Sequence, residues 1–446
     1  MTNRTNELSA QSLRRSDSSP SAVRHPPSAS AHRLASASII GTTLEYYDFA
    51  VYNTLAALIF NRLFFPSFDP IAGTILAFST FAVGYFSRPI GGVIFGHLGD
   101  RFGRRFVLVT TLIVMGITTA LMGLLPTYET AGALSPVLLV TLRFIQGAAL
   151  GGEWAGAVLL SVEHGDSACR GRNASWAQMG PSLGTLLATG TIALLTWFLP
   201  ADSFIEWGWR LPFFASVVLV GFGVWIRIGV DETPLFRRLE QEQKKSSAPI
   251  GEVFRSHRRG LLLGGGVRIG PDVLYSLTAV FALSYLTTVL DESRTFALIA
   301  LSIGGACNAI SIPIFGLLSD RLGRRAVYGT GAALGVIWAF VFFPLLDTRS
   351  TLGVVSALVG ALIIHAMMYG PQAAFIAEQF PTRVRYAGAS LAYTLAGIVG
   401  GGIAPAMFAT LFNRYATTPP IAIYTTVALL ITAGALFLAR ERGPSD

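Results

Sequence analysis

Apolar runs about as long as a bilayer-crossing helix recur through the 446 residues at 36–60, 71–95, 106–125, 136–162, 173–199, 209–229, 260–284, 296–318, 326–346, 351–378, 387–412 and 420–440. A hydrocarbon core of about 30 Å takes about 20 helical residues to cross. No water reaches backbone groups there, so helices and closed barrels are the admissible spanning forms. Twelve such runs predict an all-α polytopic membrane protein, and those longer than 25 residues imply tilt. Only 13% of the residues are charged, against roughly a quarter in soluble domains, too few to coat soluble surfaces. Gly147, Gly151, Gly152, Pro181, Gly400, Gly401, Gly402 and Pro405 lie inside spans, where small residues let membrane helices approach closely.

A net charge of +8 does not point to nucleic acid, because the cations are dispersed between apolar runs rather than clustered on one face. Their distribution points to topology instead. Lys and Arg crowd alternate loops, among them Arg101, Arg104 and Arg105, then Arg321, Arg324 and Arg325, and are sparse in the others. By the positive-inside rule both termini are expected in the cytoplasm, in the cell's inner or plasma membrane. Residues 1–33, rich in Ser, Arg and Pro, read as a disordered cytoplasmic tail; a transit peptide is the weaker reading. The long connection 230–259 separates a bundle at 34–229 from a second at 260–440, with 441–446 as a tail. The halves repeat: Gly96-His97-Leu98-Gly99-Asp100-Arg101-Phe102-Gly103-Arg104-Arg105 returns as Gly316-Leu317-Leu318-Ser319-Asp320-Arg321-Leu322-Gly323-Arg324-Arg325. Glu163 with Arg170 and Arg172 likewise returns as Glu378 with Arg383 and Arg385. Two parallel six-helix repeats place a substrate site mid-membrane between them.

The Gly-Asp-Arg-x-Gly-Arg-Arg turn resembles the loop between helices 2 and 3 of the major facilitator superfamily. Further strings are similar to its metabolite:proton symporter branch: Glu45-Tyr46-Tyr47-Asp48-Phe49 with Tyr52, Arg88-Pro89-Ile90-Gly91-Gly92, Arg143-Phe144-Ile145-Gln146-Gly147, and Gly151-Gly152-Glu153-Trp154. Trp207-Gly208-Trp209-Arg210-Leu211-Pro212-Phe213, Glu232-Thr233-Pro234 and Phe380-Pro381-Thr382-Arg383 fit the same branch. The likeness runs over about residues 34–440. It implies transport of a small organic solute with protons, in which the acid of the first helix serves proton coupling.

Ionisable groups within a span read as functional by default. Glu45 and Asp48 share a face of the first span, with Tyr52 one turn further. Two carboxylates in a low-dielectric cleft do not both stay charged, and one of them can serve as a proton carrier. Arg143, Gln146 and Glu153 line one stripe of the fourth span. A permanently charged guanidinium there needs an anion, supplied by Asp48, Glu153 or a solute carboxylate. Arg268, Asp272 and Tyr275 share a face of the seventh span, and His365, Tyr369 and Gln372 share one of the tenth. Such donors suit an anionic, hydroxylated solute, although Arg268 and Asp272 also have the spacing to pair with each other. Gln178 and Tyr393 complete the expected solute-facing set. The arginine–acid and His–Gln pairs are most similar to the shikimate-transporter-like members of the branch. Arg88-Pro89, near the end of the second span, fits headgroup or gate contacts better than solute contacts.

Asp100, Arg101, Arg104, Arg105, Glu163 and Arg170 in one half, and Asp320, Arg321, Arg324, Arg325, Glu378 and Arg383 in the other, are expected to clamp the halves together as a gate. Exposed ion pairs are worth about 0–1 kcal/mol each, so that role needs a network; a plain topology signal is the alternative. Gly180-Pro181-Ser182-Leu183-Gly184 resembles an element of drug:proton antiporters, with a packing kink as the competing account. No phosphate loop ending in Lys-Ser/Thr occurs. No His or Cys cluster has metal spacing, and two cysteines do not make a disulfide scaffold. The chain is therefore expected to be no enzyme and to use no cofactor or metal, with H+ as coupling ion. Its expected partners are an organic solute, H+ and the lipid bilayer, and it is expected to act as a monomer. The leading expectation is import of an organic acid by proton symport. Efflux of amphiphilic compounds by antiport, carriage of a zwitterion such as proline or betaine, and a flux-free receptor are the alternatives.

Overall fold

The computed structural model describes residues 29–67, 70–102, 104–151, 158, 169–228, 249–381 and 384–439. Among them, twelve long helices follow one another and no strand occurs. The first half holds α1 (Ala29–Leu58), α2 (Pro70–Phe102), α3 (Arg104–Gly123), α4 (Leu134–Gly151), α5 (Arg170–Phe198) and α6 (Leu211–Ile228). The second begins with α7, which runs through Arg258–Ser276, a π segment Leu277–Phe281 and Ala282–Thr288. It continues with α8 (Arg294–Leu322), α9 (Arg324–Asp347) and α10 (Thr351–Glu378). Next is α11, built of Arg385–Gly397, a π segment Ile398–Ile403 and Ala404–Tyr415, and last α12 (Pro419–Leu438). Among the described residues, nine helices, α4 to α12, are long and apolar enough to cross a membrane. Helices α1 and α2 bury Glu45, Asp48 and Arg88 in their interiors, and α3 carries the shorter apolar stretch Val109–Gly123.

The boundaries follow local chemistry. Ser293 and Ser350 accept hydrogen bonds from the amides of Phe296 and Gly353, capping α8 and α10. The turn between α8 and α9 takes Gly323 to φ +90°, a backbone region that glycine occupies without penalty. Two helices extend into segments expected to be irregular. Helix α1 reaches back to Ala29, inside the presumed tail, and a short helix, Pro249–Ser256, occupies part of the presumed linker.

Small residues set the closest approaches. A Cβ on Gly91 would overlap the Ala148 carbonyl, and Cβ atoms on Gly147 and Gly151 would strike the backbone of Gly84 and Arg88. Helices α2 and α4 thus meet backbone to backbone. In α5, Gly180 rests on Thr42 and Gly184 on the Tyr46–Tyr47 backbone of α1, so the Gly-Pro-x-x-Gly element is a packing surface. The halves meet chiefly through α5 against α8 and α2 against α11, pairs equivalent in a parallel repeat. Tyr85 of α2 lies against Gly401 and Gly402 of α11. This arrangement leaves α1, α4, α7 and α10 to supply most of the polar groups near the centre.

Candidate functional site

Asp48 is fully buried, and its Oδ1 accepts a hydrogen bond from Ser216 of α6 at 2.5 Å. Its Oδ2 has no hydrogen-bond partner, and the Thr119 hydroxyl of α3 faces the same carboxyl. That hydroxyl donates to Met115 O and accepts from Gln146 Nε2, both at 2.8 Å. Gln146 Oε1 in turn accepts from Arg143 Nη1 at 2.6 Å, and Arg143 Nη2 donates to Asn53 Oδ1 at 2.7 Å. The expected direct pair between Asp48 and Arg143 is therefore absent. Asp48 faces α3 and α6, whereas Asn53, further along α1, meets the guanidinium. Two neutral groups, Thr119 and Gln146, stand between the acid and the base, hydrogen-bonded to each other and to Arg143. Thr119, Ser216 and Asn53 escaped sequence reasoning because a hydroxyl or amide in an apolar run carries no periodic signal.

Aromatic rings hold the arginines. The Arg143 guanidinium stands 3.8 Å from the Phe49 ring centre and 4.0 Å from that of Tyr52, while Tyr52 donates to Thr80. Arg88 shares the Phe49 ring at 4.6 Å and lies 3.9 Å from the Tyr85 ring centre. It is only 3% exposed, so the headgroup contact expected from its sequence position does not form. Glu45 is buried as well, at 1%.

Across the centre, Arg268 Nε is 2.8 Å from Asp272 Oδ2, Arg268 Nη1 donates to Tyr393 O, and its guanidinium stacks 3.1 Å from the Tyr393 ring centre. The expected solute-binding arginine is thus already held by its own half. The hydroxyls of Tyr46 and Tyr369 each lie 3.4 Å from that of Tyr393, so three tyrosines from α1, α10 and α11 converge across the halves. Tyr275 meets Thr185 at 2.7 Å, and Gln178 donates to Tyr369 O at 3.5 Å. His365 stacks on Tyr369 and lies 3.1 Å, through Nδ1, from Asn308 Nδ2. Asn308 accepts from Ser182 of α5. Gln372 instead donates to Tyr328 within the second half, 3.1 Å away. That contact joins α9 to α10, while Gln372 Oε1 is buried without a hydrogen-bond partner. Among the described residues, no group of three His, Cys, Asp or Glu could hold a metal ion.

At the basic end, Asp320 accepts from the backbone amides of Gly171 and Arg172 at 2.8 and 2.9 Å. A second-half carboxylate therefore caps the first turn of first-half α5, where free N–H groups and the helix dipole favour an anion. Arg324 pairs with Glu378 and lies 3.8 Å from Asp320, and Arg170 is near enough to act on the Glu378 charge. Arg321 and Arg325 lie on the same turn. The side chains of Asp100, Arg101, Arg104 and Arg105, together with Glu153, Glu163 and Arg383, lie outside the described residues. At the other end, Thr196 and Thr295 join α5 to α8 at 3.1 Å, and Thr189 meets Ser302 at 2.9 Å.

Two six-helix halves closing on a buried polar centre define a secondary transporter of the membrane. Residues 38–405 match the Major Facilitator Superfamily, and the chain belongs to that family. It is 40% identical to the shikimate transporter of Escherichia coli (strain K12), over 92% of this chain and 95% of that protein. It is 36% identical to the inner membrane metabolite transport protein YhjE of the same organism, over 94% and 96%. In fold it matches the partially occluded inward open xylose transporter XylE from E. coli with a TM-score of 0.72 at 20% identity, covering 92% and 98%. The protein is a multi-pass membrane transporter, not an enzyme.

Proposed function

We propose that the protein imports a small organic acid by proton symport, with alternating access of the centre to the two membrane faces. The observation that carries this is the buried Asp48 carboxyl, one oxygen without a partner, next to the Thr119 hydroxyl that accepts from Gln146, which in turn holds Arg143. Loss of the proton draws the Thr119 hydroxyl from Met115 O onto the carboxylate. Gln146 follows it, tightening the hold on Arg143. Protonation relaxes that hold and leaves the cationic side of the centre available to an anion. Glu45 is assigned an assisting role, and Glu153 stays a candidate second partner of Arg143. The hydroxyls of Tyr46, Tyr275, Tyr369 and Tyr393, with His365 and Gln178, suit a hydroxylated solute. The identity of 40% with a shikimate transporter supports an organic acid. Residence in the inner membrane with both termini cytoplasmic, and function as a monomer, belong to the same proposal. Protons are the coupling ion and no cofactor is required.

Proteoliposome uptake tests it. Labelled shikimate, 2-oxoglutarate and betaine are offered with and without an inward proton gradient. Gradient-stimulated accumulation of an acid is expected. Accumulation of betaine alone would favour a zwitterion carrier, and loss of internal solute as protons enter would favour an exporter.

A further inference from the structure

Each buried arginine of the centre has a different degree of satisfaction. Arg268 has an acid, a carbonyl and an aromatic face. Arg143 has two amide oxygens on its terminal nitrogens, with only its Nε left without a partner. Arg88, equally buried, has rings on its faces but neither its Nε nor its Nη2 has a hydrogen-bond partner. Among the described residues no carboxylate lies within ion-pair distance of it. Asp272 is close enough to feel its charge but pairs with Arg268. A buried cation without a counter-charge is costly, and a stable fold keeps one only where something compensates it.

The geometry of the deficit is specific. Nε and Nη2 form one edge of the guanidinium, and two parallel N–H groups on that edge match the two oxygens of a carboxylate. Tyr85 and Phe49 fix the plane of the group, so its free edge is pre-oriented. Pro89 follows immediately in α2 and frees the Tyr85 carbonyl from its helical partner. Gly91 and Gly151 bring α2 and α4 together beside this residue. From these observations we infer that Arg88 is the carboxylate anchor of the transported solute, with Phe49 and Tyr85 as its cradle. Arg143, on the same Phe49 ring, adds positive field without offering a free terminal nitrogen. Arg268 maintains the second half and does not receive the solute charge. The inference rests on the organic-acid reading above and assigns that acid's negative group to one side chain.

The test uses purified full-length carrier and two probes, shikimate and its uncharged methyl ester, each measured by equilibrium binding in detergent. Wild type is expected to prefer the acid. In Arg88→Gln, affinity for the acid should fall about 10- to 100-fold, the loss of a charge-assisted bidentate contact, while affinity for the ester stays within a factor of a few. Arg88→Lys should recover part of the acid preference. Without solute, Arg88→Gln should melt no lower than wild type, because the substitution removes an uncompensated charge. A marked fall in its melting temperature would show instead that Arg88 is a structural cation and would overturn the assignment. So would an acid-over-ester preference that persists in Arg88→Gln. A wild type that binds both probes equally would overturn the organic-acid reading itself; one that binds neither is measured with 2-oxoglutarate and its dimethyl ester, and equal binding or none there overturns that reading. Loss of acid preference in Arg268→Gln, with Arg88→Gln unaffected, would transfer the role to Arg268.

Discussion

At the scale of single residues, the proposed proton chemistry and the paired structural charges fall on different side chains of the centre. Asp48→Asn keeps the shape of the side chain and its Ser216 contact but fixes it in a neutral form. Gradient-driven accumulation is expected to fall to an internal-to-external ratio near one, while solute exchange across the membrane continues. Accumulation at the wild-type level would remove Asp48 from the coupling step. Gln146→Leu leaves Asp48 intact and removes the proposed link to Arg143, so counterflow with and without a pH gradient should show the same uncoupling. Much of this cluster is legible in the sequence, because a carboxylate or guanidinium inside an apolar span announces itself by cost alone. The pairing is less so. Arg268 and Asp272 pair as their four-residue spacing within one helix allows. Asp48 and Arg143 sit on different helices, and helix rotation, which no spacing reveals, sets whether they meet. Arg88 was readable as an unusual residue but not as a buried one, since its depth depends on the glycine-driven approach of α2 to α4.

At the scale of helices, glycine positions make predictions with opposite signs. Gly91→Ala places a methyl into the Ala148 carbonyl, and such overpacking costs about 1–3 kcal/mol. Gly190 has nothing within 4 Å of an added Cβ, so Gly190→Ala should be neutral or gain up to about 1 kcal/mol from helix propensity. Thermal melting of the purified carrier in detergent compares the two, and equal effects would contradict the backbone contact between α2 and α4. The capping of α5 is a second device at this scale. Asp320→Asn retains one acceptor but loses the charge at the helix N-terminus, worth about 1 kcal/mol in a partly buried setting. Opening at the basic end should increase roughly fivefold for that energy. The alkylation rate of a cysteine placed at Ser175, which lies against Gly316, would report it, with Cys169 and Cys307 replaced by serine; an unchanged rate would leave Asp320 a static cap. The repeated Asp-Arg-x-Gly-Arg-Arg turn was legible as a gate candidate. That Asp320 grips backbone amides of α5, rather than an arginine alone, was not, because the acceptor of an N–H group leaves no mark in a side-chain pattern.

At the scale of the whole molecule, α5 and α8 are bridged at both ends, by Asp320 against Gly171 and Arg172 and by Thr196 against Thr295. Alternating access needs these contacts to break in turn as one half rocks against the other around a fixed centre. The parallel repeat, legible in the recurring loop motif, already implies paired interfaces. Which helices form them follows from where Gly171, Gly316, Gly401 and Gly402 permit close approach, and that requires three-dimensional placement. The proposed rocking is testable by arrest at a chosen end. In a carrier whose Cys169 and Cys307 are serine, cysteines replace Thr196 and Thr295, whose hydroxyl oxygens lie 3.1 Å apart, so that the two sulfur atoms start close to one another and need approach only to the roughly 2.05 Å of an S–S bond. Oxidation should abolish net uptake and exchange alike, because both require this end to open, and a reductant should restore both. Solute binding to detergent-solubilised carrier should survive through the opposite face, at the basic end. Full transport by a quantitatively cross-linked protein would place the moving interface elsewhere than between α5 and α8.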